Sequence, residues 1–266
     1  MGSVAHDGAV GAMTTSVLVI GIGVGDPDHV TAQAAAAMNR ADVFLVVDKG
    51  SATAEMVDLR RTILDRFVEH QYRLVTIPDA ERDLSGVSYE GDVAAWHGTR
   101  VERFEAALRT EVDRGGTAAF LVWGDPSLYD STLRVLAQVA DRGAVDLDVS
   151  VVPGITAPQA LAAAFAMPLH AVGEPVLVTT GRRLAEGWPN GVHDLVVMLD
   201  GRQAFTEIDP TGIHIWWGAY LGAADQILVS GPLADVADEI VRSRAEAKAR
   251  KGWLFDTYLL RRVDPA

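Results

Sequence analysis

Two kinds of segment alternate along the first half of the chain. Short runs rich in β-branched residues predict buried strands at 16–22, 42–47, 72–77, 117–123 and 148–152. Between them, the spacing of apolar positions predicts helices at 31–40, 52–67, 92–113 and 131–142. Strands that alternate with helices of this length predict an α/β fold with a mostly parallel sheet.

The second half has a different pattern. Strand-like runs at 175–181, 194–199, 212–220, 225–231 and 252–262 are separated by tight turns and by few helices, of which a charged one is predicted at 234–251. This favours a mixed sheet with antiparallel pairs. The change falls near "VVPGIT" (151–156), where Pro153 and Gly154 break a strand. We therefore predict an N-terminal α/β domain at 16–153 and a C-terminal α/β domain at 154–266, preceded by a disordered leader or cloning remnant at 1–15.

The glycine-rich stretch "GIGVGDPDHVT" (21–31) lies between a predicted strand and a predicted helix, as many phosphate-binding loops do. A dinucleotide fingerprint has glycines at its first, third and sixth positions; Gly21 and Gly23 match, but the sixth is Asp26. A carboxylate there would repel a pyrophosphate, and no Lys-Ser/Thr pair ends the loop. The acidic residue of "VVDKG" (46–50) keeps an NAD-linked oxidoreductase as an alternative, and a purely structural turn is another.

A second Gly-Asp-Pro occurs in "LVWGDPSLYDST" (121–132), again directly after an apolar strand. Asp-Pro begins a turn, because proline restricts the residue before it. Backbone carbonyls and a carboxylate at the end of a sheet suit a cation or a hydroxyl better than a phosphate. They favour S-adenosylmethionine, whose sulfonium and ammonium groups are positive.

Composition limits the partners. The formal net charge of −13 argues against a nucleic-acid binder, which needs clustered Lys and Arg. No apolar run approaches the roughly 20 residues of a membrane-spanning helix, so no membrane partner is expected. The chain has no cysteine, and its seven histidines form no closely spaced set with carboxylates, so no metal site is predicted. These features favour a cytoplasmic protein.

The chain resembles the tetrapyrrole methylases over about residues 16–262. The resemblance is carried by four motifs, which occur in the family's order: "GIGVGDPDHVT", "WGDPSLY", "VVPGITA" and "VVMLDG". The resemblance implies a two-domain fold with S-adenosylmethionine in the cleft between the domains, a tetrapyrrole substrate with several carboxylates, and a homodimer. Further runs, such as "GEPVLVTTGRRLAEG" and "GWLFDTYLLRR", resemble the members that methylate C1 of precorrin-5 and release acetate. The chain departs from the family pattern at Val24, often proline, and at Trp123, commonly glycine.

The resemblance also implies the residues that contact the cofactor. They come from the second Gly-Asp-Pro loop, from the helix after "VVPGI" and from two strand ends of the second domain. The predicted set is Trp123, Gly124, Asp125, Leu128, Thr156, Ala157, Met198, Leu199, Ala219, Tyr220 and Leu221. For Trp123, Leu128, Met198 and Leu199, ordinary core packing is the alternative.

Acetate release requires water to attack a ketone carbonyl, so a general base and an oxyanion donor would help. Asp48, at a strand end, is the predicted base, with a turn or helix cap as the alternative role. Tyr129 and Tyr220 are the predicted hydrogen-bond donors.

Four residues are predicted to contact the substrate. Arg182 and Arg183 follow a strand, and arginine binds carboxylates in bidentate fashion; a salt bridge within the fold is the alternative. Val24 is predicted to form a wall of the macrocycle site. His29 could reach the substrate, but a helix cap is the favoured role.

The sequence leaves several other functions open as alternatives. Within the fold these are a methylase of another ring position, of the diphthamide pathway or of rRNA, the last disfavoured by the acidic charge. From other classes they are the NAD-linked oxidoreductase and a non-catalytic tetrapyrrole carrier.

Overall fold

The structure is a computed structural model that describes residues 14–48, 54–79, 89–113 and 115–263. Most of the predicted leader, residues 1–13, lies outside the described residues. Its last residue, Thr15, already belongs to the first strand, and the Thr14 hydroxyl donates a hydrogen bond to Asp146. The predicted leader therefore extends too far at its C-terminal end.

The first sheet is parallel throughout and confirms the α/β prediction. Its strand order is β3-β2-β4-β1-β5. The strands are β1 (Thr15–Gly21), β2 (Val43–Asp48), β3 (Arg73–Pro78), β4 (Thr117–Val122) and β5 (Leu147–Val152).

Helices cover both faces of this sheet, which explains why its strands are almost continuously apolar. One face packs against α1 (Ala32–Met38) and α2 (Ala54–Phe67), and the other packs against α3 (Tyr89–Glu111) and α4 (Thr132–Arg142). All four correspond to predicted helices.

The second sheet is mixed, as predicted, with the order β6-β7-β10-β8-β9. The β6–β7 pair is parallel and the other pairs are antiparallel. The elements that follow β5 are α5 (Ala157–Ala164), β6 (Val176–Thr180), α6 (Gly181–Leu184), β7 (Asp194–Met198), β8 (Ile213–Ala219), β9 (Ile227–Pro232), α7 (Leu233–Lys251) and β10 (Asp256–Arg262). The first sheet ends at Val152 and the second begins at Val176, which is compatible with the predicted domain boundary.

Candidate active site between the two sheets

Three glycine motifs meet at the carboxyl ends of β1, β4 and β5. A Cβ atom on Gly21 would lie 2.6 Å from the nitrogen of Gly154, and one on Gly154 would lie 2.2 Å from the carbonyl oxygen of Gly124. Gly23 and Gly124 also form an isolated β-bridge. These glycines let three backbones approach one another closely, which is a structural requirement independent of any phosphate.

Asp125 holds this junction together. Its carboxylate accepts hydrogen bonds from the backbone nitrogens of Ser127 and Gly154, each at 2.8 Å, and from the Ser127 hydroxyl. Burial alone would raise the pKa of Asp125, but these hydrogen bonds outweigh it and lower the pKa below its usual range. The second Gly-Asp-Pro loop is thereby joined to the chain that leads into the second sheet.

A cavity of about 300 Å³ opens beside this junction, between the two sheets. One wall comes from β2, α2, α3, β4 and the loop after β4; the other comes from α5 and from the strand ends of the second sheet. Most lining side chains are apolar, with a few arginines and carboxylates among them. This combination is typical of sites for small organic ligands.

Most of the predicted cofactor residues line the cavity: Trp123, Leu128, Ala157, Met198, Leu199, Tyr220 and Leu221. The others lie directly beside it without forming its lining. Gly124 and Asp125 build the junction, Thr156 caps α5 with its side chain, and Ala219 is the fully buried end of β8. The structure therefore brings the predicted set together, and contact with a cofactor remains a prediction.

Three of the lining residues have left-handed backbones. The φ angles are 54° at Tyr129, 53° at Leu199 and 49° at Tyr220. For residues other than glycine this conformation costs roughly 1–2 kcal/mol. Strain of this kind clusters at active sites and ligand clamps, although Ala166 and Gln203 adopt it outside this cavity. Leu199 is 63% exposed in this position, which places an apolar surface at the rim of the cavity.

The predicted donor role of Tyr220 does not fit its hydrogen bonds. Its hydroxyl faces the backbone, at 2.7 Å from the carbonyl oxygen of Trp253 and 3.1 Å from that of Ala247. Both partners are acceptors, so the phenolic proton is already used. We correct the prediction: Tyr220 contributes ring surface to the cavity, and Tyr129 is left as the candidate donor.

Asp48 is also less well placed than predicted. It ends β2, but Val47 lines the cavity and Asp48 does not, because successive side chains of a strand point to opposite faces. Two other carboxylates line the cavity, Asp130 and Asp256. Asp256 is paired with Arg244 and accepts a hydrogen bond from Trp217, so Asp130 is the better base candidate.

Val24 lies within the first glycine loop, and His29 follows it. Val24 is 3% exposed and lines the cavity, as its predicted place in a wall requires. The cap predicted for His29 is wrong, because Asp26 caps the short 3₁₀ helix Pro27–His29 and Thr31 caps α1. The His29 side chain packs instead between Gly23 and Gly222, leaving no room for a Cβ at either position.

Arg182 and Arg183 do not reach the cavity. Both belong to α6 and are exposed, and Arg183 forms an ion pair of 2.7 Å with Glu186. For Arg183 the structure therefore shows the alternative role, a salt bridge within the fold. A short helix turns both side chains to the surface after β6.

Sequence reasoning missed two arginines that do line the cavity, Arg60 on α2 and Arg100 on α3. The spacing of both arginines along their helices could have indicated this position. Arg60 lies four residues after Met56, and Arg100 lies four residues before Phe104. A charged residue within an apolar helical stripe indicates either a buried ion pair or a ligand contact.

Two further features of the described residues bear on metal ions and membranes as partners. Within 14–263, leaving out the gaps given above, no group of three or more metal-ligating side chains could hold an ion. No helix in the same ranges is long and apolar enough to cross a membrane.

The two-sheet architecture with an intervening cavity can now be compared with known proteins. The profile of the tetrapyrrole (corrin/porphyrin) methylases matches residues 16–237. The chain therefore belongs to this family of methyltransferases.

Individual relatives within this family indicate which members the chain resembles most in sequence and structure. The chain is 47% identical to precorrin-6A synthase [deacetylating] of Sinorhizobium sp., over 92% of this chain and 95% of that protein. It is 34% identical to a crystal structure of a cobalamin synthesis related protein (CobF) from Corynebacterium diphtheriae, with a TM-score of 0.81, covering 94% and 100% of the two chains. A uroporphyrin-III C-methyl transferase from Thermus thermophilus, complexed with S-adenosylhomocysteine, shares the fold at 19% identity, with a TM-score of 0.57 and coverage of 92% and 91%.

Proposed function

We propose that this chain methylates C1 of precorrin-5 with S-adenosylmethionine and releases the acyl group as acetate, giving precorrin-6A. The observation that supports this most strongly is the 47% identity, over nearly the whole of both chains, to a precorrin-6A synthase. The interdomain cavity is the proposed place of reaction.

The lining of the cavity suits the cofactor. Met198, Leu199 and Leu221 offer apolar surface from the second sheet, and Trp123 offers a flat face from the first. The carboxylate of Asp130 also lines the cavity, and its negative charge suits the positive sulfonium and ammonium groups of the cofactor. When bound, S-adenosylmethionine supplies the electrophilic methyl group.

The protein's part in methyl transfer is mainly positional. Precorrin-5 is electron-rich at its ring carbons, so holding C1 in line with the methyl group inside a dry cavity supplies most of the acceleration. Val24, at 3% exposure, and Trp123 are placed to define that alignment.

Acetate release needs more from the side chains. Asp130 is proposed to accept a proton from the attacking water, and Tyr129 is proposed to donate to the carbonyl oxygen. Burial raises the pKa of Tyr129, which keeps its hydroxyl protonated at neutral pH. Its present contact, 3.4 Å to the carbonyl oxygen of Val178, is long enough to be exchanged for a substrate.

The decisive experiment is to incubate the protein with precorrin-5 and methyl-labelled S-adenosylmethionine, and to assay label in the ring together with free acetate. Asp130→Asn should lower acetate release by about a hundredfold or more, the usual contribution of a general base. Asp48→Asn, run in parallel, tests the base first predicted. Absence of both products from the wild-type protein would refute the proposed function.

We propose further that the protein acts in the cytoplasm as a homodimer. The lack of cysteine supports the first point, and the exposed Val149 and Val151 on the edge strand β5 are compatible with the second. Light scattering in solution would give the oligomeric state, and a monomeric mass at micromolar concentration would contradict the dimer.

A further inference from the structure

Arg60 is an unusual group to find on a cavity wall. Its Nε donates to the carbonyl oxygen of Leu121 at 3.0 Å, and its Nη1 donates to that of Met56 at 2.9 Å. Among the described residues it forms no ion pair within 4.0 Å. Burial lowers the pKa of Arg60 to about 10, so the group is still charged at neutral pH.

The two backbone contacts fix the plane of the guanidinium without neutralising it. One anchors it to its own helix, α2, and the other anchors it to β4. Arg60 is partly buried, and a charge largely withdrawn from water ordinarily has an opposite charge or a ligand beside it, because an uncompensated one is costly. The chain as a whole is strongly acidic, and yet Arg60 has no ion-pair partner within the part of the chain that the structure describes.

Arg100 adds a second positive group on the same wall. It is 7% exposed, forms an ion pair of 3.1 Å with Asp79 and donates to the Ser131 hydroxyl at 2.7 Å. Asp130 lies within electrostatic range of both arginines, while one of its oxygens accepts from the Thr132 nitrogen at 2.6 Å. Arg100 thus has fixed partners, whereas Arg60 still has donor capacity toward the cavity.

The surroundings indicate the kind of anion. Leu45, Val47 and Phe120 line the same first-domain wall, so this wall suits a ligand that combines an anionic group with apolar surface. A tetrapyrrole with carboxylate arms has this combination, and arginine recognises a carboxylate by its planar fork.

We propose that Arg60, with Arg100 as a second cation in the lining of the same cavity, binds a carboxylate arm of the tetrapyrrole and thereby sets the orientation of the ring. This rests on the proposed function, since it takes the tetrapyrrole as the ligand. It replaces Arg182 and Arg183, whose side chains lie on the surface, as the carboxylate-binding residues.

S-adenosylmethionine also has a carboxylate, so the source of the anion must be decided. The arginines come from α2 and α3 of the first domain. Most of the predicted cofactor residues with apolar surface form the wall from the second domain, and they include Ala157, Met198 and Leu221. This division favours the macrocycle.

The test uses two stable corrins: cobyrinic acid, whose arms are carboxylates, and cobinamide, whose arms are amides. Binding is followed by quenching of tryptophan fluorescence, to which Trp123 in the cavity wall contributes. The variants are Arg60→Met, Arg60→Lys and, as the matched control on the same helix, Arg61→Met, whose exposed side chain is 3.8 Å from Asp58. Affinity for S-adenosylhomocysteine is measured by calorimetry on every variant.

We expect Arg60→Met to weaken cobyrinic acid binding at least tenfold, the usual effect of losing a hydrogen bond to a charged group. Cobinamide and S-adenosylhomocysteine should bind this variant within twofold of wild type, and Arg61→Met should behave as wild type. Arg60→Lys should lie between, because lysine keeps the charge but loses the fork; it decides the question if Arg60→Met does not fold.

Unchanged cobyrinic acid binding in both Arg60 variants would overturn the proposal, as would wild-type protein that does not bind cobyrinic acid. Loss of S-adenosylhomocysteine binding instead of corrin binding would also overturn it, because the carboxylate would then be that of the cofactor. The proposed function fails independently, if wild-type protein releases no acetate from precorrin-5 while corrin binding still depends on Arg60.

Discussion

At the scale of single residues, Gly154 illustrates how much depends on one missing side chain. The backbones of Gly21, Gly124 and Gly154 lie so close that any Cβ on Gly154 would overlap the Gly124 carbonyl oxygen. The cavity begins at this junction, because Trp123, which directly precedes Gly124, and Val24, three residues after Gly21, both line it.

We expect Gly154→Ala to lower the free energy of unfolding by about 2 kcal/mol or more, since the new atom meets backbone that can move only by separating strands. Gly201→Ala is the control, because a Cβ there meets nothing within 4 Å, and it should change stability by less than about 0.5 kcal/mol. Urea unfolding of both variants checks this; equal effects would contradict the close-approach explanation.

Asp125 offers a prediction about pH. Its pKa is lowered in the folded protein, so its stabilisation is fully present above the ordinary aspartate value of about 3.9 and is lost as the pH falls through the folded value. Asp125→Asn should therefore be less stable than wild type by about 1–2 kcal/mol at pH 7, with the gap closing toward pH 3.

The control for Asp125 is Asp58→Asn, on an exposed carboxylate 3.8 Å from Arg61. Its stability difference from wild type should be small at both pH values. A gap for Asp125→Asn that does not depend on pH would show that the hydrogen-bond geometry, rather than the charge, stabilises the junction.

At the scale of elements, α2 and α3 differ from ordinary amphipathic helices. Each packs apolar residues against the first sheet, such as Ile63 and Leu64 of α2, and each adds one arginine at the cavity end of that face. An element that stabilises the core can in this way also contribute to a site.

Tyr220 links elements of the second domain. It follows β8, and its hydroxyl contacts the end of α7 through Ala247 and the segment after it through Trp253. The turn that presents Leu221 to the cavity is therefore fixed against α7.

Tyr220→Phe should cost about 1–2 kcal/mol of stability, because two buried carbonyl groups lose their donor. Acetate release should remain near the wild-type rate, since the hydroxyl faces away from the substrate. Tyr72→Phe, which removes an exposed hydroxyl bonded to Asp65 at 2.8 Å, should cost less than about 0.5 kcal/mol. A large loss of acetate release in Tyr220→Phe, without loss of stability, would restore the donor role.

At the scale of the whole molecule, contacts across the cleft join the two domains. Glu55 of α2 forms an ion pair of 2.6 Å with Lys251 at the end of α7 and accepts a hydrogen bond of 3.2 Å from the indole of Trp253. Gly25 of the first domain lies against Leu221 and Ala223 of the second. A ligand that contacts both walls should add to these connections.

S-adenosylhomocysteine should therefore stabilise the protein as a whole. At a concentration one hundred times its Kd it should add about 2.7 kcal/mol to the free energy of unfolding, whereas NAD at the same concentration should add nothing measurable. Thermal unfolding with each compound checks this, and stabilisation by NAD alone would favour the oxidoreductase.

The sequence by itself determined the elements, the two kinds of sheet and the glycine loops beside the cavity. Strand and helix periods are local properties, and the Gly-Asp-Pro loops are contiguous motifs that follow their strands directly. The family resemblance supplied the residues at 198–199 and 219–221, which periodicity alone would assign to the core.

The tertiary structure alone decided which side chains face the cavity. Asp48 and Val47 are neighbours in sequence, but the pleat of β2 turns only Val47 toward it. Arg60 and Arg100 are distant in sequence, and the packing of α2 and α3 against the parallel sheet brings both to one wall. A site between two domains depends on contacts between segments far apart in the chain, and no local pattern records those contacts.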